Sequence, residues 1–253
     1  YSEQPKGKLA EYSRTVEEFY DHLDDCLKAG PVAYVLDSMD ALSSGSEQKT
    51  FKKQKTARRH GREAAGSYGD GKAKLNSSML RVAHNRIVET KSILVIIQQP
   101  RDNISFDAVF NPKVKAGGRA PTFYACLELW SSVVKVLKRD HHDRKIPVGV
   151  LVKVRVKKNR VTGRDRSVEL PIYYESGIDD VGSMVSYLVQ WGHWPKGKGG
   201  RIDAKELSAV ATEEQIIKMV QELGLESMVK EAVVACWNAV EAAVKVERKV
   251  KYR

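Results

Sequence analysis

Two short apolar runs, each ending in polar groups, constrain what this chain can fold into. Val32-Ala33-Tyr34-Val35-Leu36 leads straight into Asp37-Ser38, and Ser92-Ile93-Leu94-Val95-Ile96-Ile97 leads into the amide pair Gln98-Gln99. Continuous apolar runs of this length, rich in β-branched residues, read as buried parallel strands. In an open α/β sheet the ligand crevice lies outside the carboxyl ends of the strands. An acid at one such end can hold the Mg²⁺ of a nucleotide through water. An amide on the neighbouring end can sense the terminal phosphate. Either strand alone reads equally well as a core strand capped by a polar residue.

Charge narrows the partners. The 253 residues carry 43 Lys and Arg against 32 Asp and Glu, a formal net charge of +11 with an isoelectric point near 9.4. Such an excess favours a polyanionic partner and says nothing of the fold. Much of it is local. From 43 to 75 large apolar residues are nearly absent. Lys49, Lys52, Lys53, Lys55, Arg58, Arg59, Arg62, Lys72 and Lys74 stand there against Glu47, Glu63 and Asp70, with Phe51, His60 and Tyr68 interleaved. Low hydrophobicity with high charge predicts a mobile loop. Its cations could neutralise phosphates and release counterions, and Phe51 or Tyr68 could stack on bases. A plain solvated insertion is the alternative.

The residues after Gln99 give the pattern a family. Arg101-Asp102-Asn103-Ile104 opens a loop. Asn111-Pro112 and then Gly117-Gly118-Arg119-Ala120-Pro121-Thr122-Phe123-Tyr124-Ala125 follow it, with Val154-Arg155-Val156-Lys157-Lys158-Asn159-Arg160 and Tyr173-Tyr174-Glu175-Ser176-Gly177-Ile178-Asp179 further on. In this order, over 30–180, the chain resembles the RecA-family recombinases. Those carry an Asp-Ser pair after the Walker B strand, an amide pair, a DNA-binding loop, a Gly-Gly, a Phe-Tyr-Ala stretch, a basic strand end and a closing strand and turn.

The resemblance implies a RecA-like ATPase core, an α/β fold whose central, mostly parallel sheet is extended by an antiparallel meander. ATP and Mg²⁺ are the implied cofactors. Asp37, with Ser38 beside it, would position a Mg²⁺-bound water, and Gln98 or Gln99 would couple the terminal phosphate to the second loop. Lys158 and Arg160 would reach the nucleotide of a neighbouring protomer. The first DNA-binding loop falls on the basic segment 43–75. The second, 101–116, offers Arg101, Lys113 and Lys115 with the apolar Ile104, Phe106, Val109 and Phe110, backed by Gly117 and Gly118. A long loop with apolar members needs a partner to stay exposed; the alternative is a loop folded back on its own domain.

One part of the family pattern is not met. A phosphate cradle needs a strand, then Gly-x-x-x-x-Gly-Lys-Ser/Thr, then a helix, so that amides and the Lys wrap the phosphates and the hydroxyl binds Mg²⁺. The family places it upstream of the Asp37 strand, where these residues contain no such motif. Gly66-Ser67-Tyr68-Gly69-Asp70-Gly71-Lys72 runs into Ala73, and Gly192-His193-Trp194-Pro195-Lys196-Gly197-Lys198 runs into Gly199. Both lack the hydroxyl and a preceding apolar strand, so they read as glycine-rich loops. The expectation is a core, 1–180, without its nucleotide-cradling front, as a piece of a longer protein or as a paralogue without catalysis.

The remainder reads as a meander and then helices. A strand over 124–138, bent near Trp130-Ser131-Ser132, is followed by a polar turn at 139–144 and by strands at 148–156 and 167–174. His141-His142 invites a metal reading, but adjacent residues of an extended segment point to opposite faces. Helical spacing covers 181–191, 212–223 with a cap at Thr212, and 225–250, so 181–253 reads as a small helical domain or arm. Cys26, Cys126 and Cys236 have neither zinc nor disulfide spacing and read as buried free thiols of a reducing compartment. No apolar run is long enough to span a membrane, and no signal peptide pattern appears. The expected setting is the cytoplasm of a bacterium or a phage-infected cell. The leading function is ATP-dependent assembly, as filament or ring, on single-stranded DNA and its pairing with homologous double-stranded DNA. The alternatives are a catalytically inactive RecA-like DNA-binding or mediator protein, and a hexameric helicase-type motor fragment, which would not need Gly117-Gly118 before Phe123-Tyr124.

Overall fold

Residues 12–62, 70–102, 113–115 and 118–248 are described by the structure, a computed structural model, and the chain divides into two units, Tyr1–Cys126 and Leu127–Arg253. In the first, α1 (Val16–Ala29) starts where Thr15 and Glu18 form a capping box. The Thr15 hydroxyl accepts from the Glu18 N–H at 3.2 Å, and the Glu18 carboxylate accepts from the Thr15 N–H at 3.3 Å. Val16, Phe19, Tyr20, Leu23 and Leu27 recur at helical spacing and are all buried. They close on β1 (Ala33–Leu36) and on Met39, Leu42 and Leu80. Inside this core the Tyr20 hydroxyl donates to Asn76 Oδ1 at 3.2 Å, and burial pushes its pKa well above the ordinary value.

The crossover consists of α2 (Gly45–Arg59) and α3 (Asp70–Glu89), and it returns the chain to β2 (Ile93–Ile96). β1 and β2 pair in parallel, Ala33 opposite Ile93 and Leu36 opposite Ile96, which such a crossover permits. Two expectations need correction. The strands are covered on one face only: Leu36, Leu94, Ile96 and Tyr34 meet the core, whereas Val35, Ile93, Val95 and Ile97 stay between 42% and 62% exposed. The segment 43–75 is helical over most of its described length rather than a loop. Ser44 and Glu47 build a second capping box, with Glu47 N–H to Ser44 Oγ at 3.2 Å and Ser44 N–H to the Glu47 carboxylate at 2.8 Å.

After β2 comes a hairpin base, β3 (Pro100–Asp102) against β4 (Lys113–Lys115), and then α4 (Ala120–Tyr124) packed on α3. Gly118 has φ +77°, and a Cβ there would lie 2.8 Å from the Ala73 Cβ, so only glycine lets the chain close on α3.

The second unit opens with the expected meander: β5 (Leu127–His141), β6 (Arg144–Asn159), β7 (Ser167–Tyr173) and β8 (Gly177–Ile178), each antiparallel to the next. Pairing between β5 and β6 slips at Glu128/Leu129 and Val133/Lys135, to either side of the expected bend. β5 begins at Leu127, because 120–124 is helix. Asp179 caps α5 (Asp180–Gln190) by accepting the Gly182 N–H at 2.7 Å. A small antiparallel pair follows, β9 (Ile202–Ala204) with β10 (Ala209–Ala211), then α6 (Glu213–Leu223) and α7 (Glu226–Ala243). The boundary expected at 180 therefore falls within this unit, and α7 stops at Ala243 rather than 250. Val185, Leu188, Trp194, Ile202, Ile216, Val220 and Val229 form its core. Cys236 is buried here, but Cys126 is exposed and Cys26 half-buried, which corrects the expectation of three buried thiols.

Glu206 fastens the loop after α5. The fully buried Trp194 donates its indole N–H to Glu206 Oε2 at 2.6 Å, and His193 Nε2 lies 2.6 Å from Oε1. Burial raises the Glu206 carboxyl pKa, but the bonds from Trp194 and His193 outweigh it and hold the group below its ordinary value. A carboxyl held low stabilises the fold above its unfolded pKa and loses that contribution as pH falls through the folded one. Glu206→Ala should leave the indole N–H buried and unpaired and lower stability by about 1–3 kcal/mol at neutral pH. The deficit should shrink below roughly pH 4, where the carboxylate no longer contributes. Denaturant melts followed by tryptophan fluorescence at the two pH values check both parts.

Candidate nucleic-acid interface

The ladder continues past the ends of β1 and β2. Ile97 N–H donates to the Leu36 carbonyl at 2.9 Å, and Met39 N–H donates to the Ile97 carbonyl at 3.0 Å. Asp37, Ser38, Gln98 and Gln99 consequently leave adjacent strand ends together, as the sequence predicts. Asp37 and Gln99 are exposed, Ser38 and Gln98 half-buried. The donor set is one exposed carboxylate and two amides. Asp37 suits an outer-sphere contact with hydrated Mg²⁺, and an amide NH₂ can donate to a phosphate oxygen.

Wrapping phosphates directly takes successive backbone amides and a free Lys. Lys72, the nearest candidate, is committed elsewhere: its ammonium donates to the carbonyls of Met39 at 2.8 Å and Leu42 at 2.5 Å. Burial pushes its pKa down, partly offset by Glu47 and Asp40. The described residues thus fit the metal-water and sensing side of a nucleotide and not its cradle. Gly66 and Gly69, like Tyr68, lie outside the described residues.

The basic segment makes a broad positive surface on the first unit. No residue of α2 is buried; its half-buried positions, among them Glu47, Thr50, Gln54 and Ala57, form one narrow stripe. The rest of the helix carries Lys49, Lys52, Lys53, Lys55, Arg58 and Arg59 into solvent, and Arg62 follows it, also exposed. Phe51 is 58% exposed among them. Lys52, Lys53, Thr56, Ala57, His60 and Arg62 line a shallow open groove. A helix without an apolar face is held by its ends. Here the Gly45 N–H donates to Glu17 Oε1 at 3.0 Å, beside the Ser44 cap.

The base of the second loop is pinned by charged and polar pairs. Arg101 Nη2 lies 3.3 Å from Asp40 Oδ1, Lys113 pairs with Asp102 at 2.6 Å, and Lys115 donates to Thr122 Oγ1 at 2.6 Å. Ile104, Phe106, Val109, Phe110 and Gly117 lie outside the described residues; Gly118 serves the close approach to Ala73.

Lys158 and Arg160 belong to the second unit, at the end of β6. Between them Asn159 holds the turn, its Oδ1 accepting from the N–H groups of Val161 and Thr162 at 3.0 Å each. Lys157 Nζ stands 4.1 Å over the Trp130 ring. His141 and His142 do not point to opposite faces: His142 has φ +46° and starts the turn, so the rings meet edge-on at 4.3 Å. Among the described residues no group of three or more His, Cys, Asp or Glu could hold a metal ion.

The profile of the RecA N-terminal domain matches residues 31–179. The chain belongs to the RecA family. Curated relatives carry the name Protein RecA. That of Chlorobium limicola is 32% identical over 134 residues, 51% of this chain and 37% of its own length. That of Thermus thermophilus is 31% identical over 139 residues, 52% and 39% respectively. That of Methylobacterium sp. is 28% identical over 183 residues, 70% and 45%. The chain therefore spans less than half the length of each of these RecA proteins.

Asp40, the clip made by Lys72 and the buried Asn76 are not apparent from the sequence. A second acid three residues after Asp37 is the one signal that points to the first. Lys72→Met removes the donor to two carbonyls and should destabilise the first unit by about 1–2 kcal/mol. Urea unfolding followed on a first-unit reporter should show it, with the second unit's transition unchanged.

Proposed function

We propose that this chain is the DNA-binding and phosphate-sensing part of a RecA-family recombination protein that assembles on single-stranded DNA and pairs it with a homologous duplex. The observation that carries the reading is α2 with its following turn, seven cations against one carboxylate over 45–62, on a helix with no buried residue. Those cations neutralise phosphates, while Phe51 offers a ring for base stacking. Arg101, Lys113 and Lys115, with Phe106 and Phe110, contribute the second contact. ATP and Mg²⁺ are the cofactors of the assembled protein. Asp37 holds a metal-bound water, and Gln98 or Gln99 donates to the terminal phosphate. Self-association into a filament or ring lets Lys158 and Arg160 of one protomer serve the nucleotide of the next. The bacterial or phage-infected cytoplasm is the setting.

The engagement of Lys72 by two backbone carbonyls, rather than by a phosphate, favours one second reading, a RecA-like mediator that binds DNA without turnover. ATP hydrolysis separates the two. A DNA-stimulated turnover by the 253-residue chain identifies the recombinase, and DNA binding indifferent to ATP identifies the mediator.

Replacing Lys52, Lys53, Arg58 and Arg59 with Ser should weaken binding to every DNA sequence alike. The slope of log affinity against log salt should fall by roughly 0.7 for each phosphate no longer neutralised on single strands. Fluorescence anisotropy across a salt series measures it, and an unchanged slope with unchanged affinity returns α2 to a solvated surface helix.

A further inference from the structure

Asp40 has a carboxylate that is only 8% exposed, yet it lies in the turn between the Asp37 strand end and α2. Its two oxygens are both used. Oδ2 accepts the backbone N–H of Gln99 at 2.7 Å, and Oδ1 faces Arg101 Nη2 at 3.3 Å. The same turn is clipped from its other side by Lys72, through the Met39 and Leu42 carbonyls that flank Asp40. One buried carboxylate thus joins the amide-bearing strand end to the first cation of the second loop. Arg101 remains 65% exposed, so most of its guanidinium N–H donors face solvent.

We propose that Asp40 is a latch on Arg101, a positioning residue whose carboxylate occupies the guanidinium until a DNA phosphate displaces it. The latch rests on the DNA-binding reading above. A phosphate offers the guanidinium the same bidentate geometry as a carboxylate, so the two compete for one cation. Because Asp40 also holds the Gln99 N–H, capture of Arg101 by DNA is felt at the strand end that carries Gln98 and Gln99. Coupling of this kind is reciprocal: whatever moves Gln99 also changes the hold on Arg101.

The test uses Asp40→Asn in the full chain. The amide oxygen still accepts the Gln99 N–H, but the ion pair with Arg101 is gone. Affinity for a single-stranded oligonucleotide should rise roughly two- to five-fold, the size of a partly exposed ion pair. The salt slope should steepen by roughly 0.7, one further phosphate contact. Both gains should vanish when Asp40→Asn is made on Arg101→Ser. A purely structural Asp40 would instead lower the melting temperature and leave the slope unchanged, and that result overturns the latch, as does a gain that persists without Arg101. Should Asp40→Asn fail to fold, NMR of the unaltered chain answers the question. Oligonucleotide should shift the Arg101 guanidinium and Gln99 amide resonances together, and an unmoved guanidinium at saturating DNA refutes the proposal. Loss of all salt-dependent binding by the unaltered chain is a different failure, because it removes the DNA-binding reading itself.

Discussion

The parallel pairing of β1 with β2 fixes the geometry on which the first unit's chemistry rests. Only four residues of each strand pair, but the ladder extends beyond them through Leu36, Ile97 and Met39. That extension places an acid, Asp37, and an amide pair, Gln98 and Gln99, at the same mouth, although the whole helical crossover separates them in the chain. Backbone hydrogen bonds of the sheet already fix both strand ends, so no further side-chain bond is needed to bring these groups together. Beneath the mouth, the α1 face of Val16, Phe19, Tyr20, Leu23 and Leu27 supplies the buried area that keeps the strands together.

The cations lie where burial is least. α2 contributes nothing to the core, so its Lys and Arg side chains are set by solvation and by the helix ends alone. Glu47 near its N-terminus and Arg58 and Arg59 in its last turn each complement the helix dipole. The Ser44 box adds about 1 kcal/mol of end stabilisation. Sensing and binding groups therefore sit on elements of unlike stability, one side anchored by the sheet and the other able to adapt to a polyanion.

The strands, the polar mouth, the meander and the two C-terminal helices were legible because each follows from periodicity or from a short apolar run. The helix over 45–59 was not, because its charge density resembles a disordered segment more than an amphipathic helix. Yet Ser44-x-x-Glu47 is a capping box written in the sequence, and it outweighs composition as a local signal. The start of the strand near 124 was obscured for a similar reason: Pro121 suits the first turn of a helix, and 120–124 takes that form. His142 shows the limit of alternation, since a left-handed residue ends the extended geometry on which it depends. Asp40 was hidden because its partners, Gln99 and Arg101, are 59 and 61 residues away in sequence.

The second unit uses its basic residues differently. Arg164 and Arg166, in the turn between β6 and β7, both reach Glu241 on α7, a carboxylate with only 11% of its side chain exposed. Arg166 does so with two nitrogens, at 3.2 and 2.8 Å. A buried carboxylate with two guanidinium partners is costly to leave unpaired, so these arginines are bound to the fold before any external anion competes for them. Arg155 is likewise paired, with Asp165 at 2.6 Å. Net charge alone would count all three with the cations of α2. Their pairing removes them from that set, and the positive field open to a polyanion is correspondingly weighted toward the solvent-facing Lys and Arg side chains of α2.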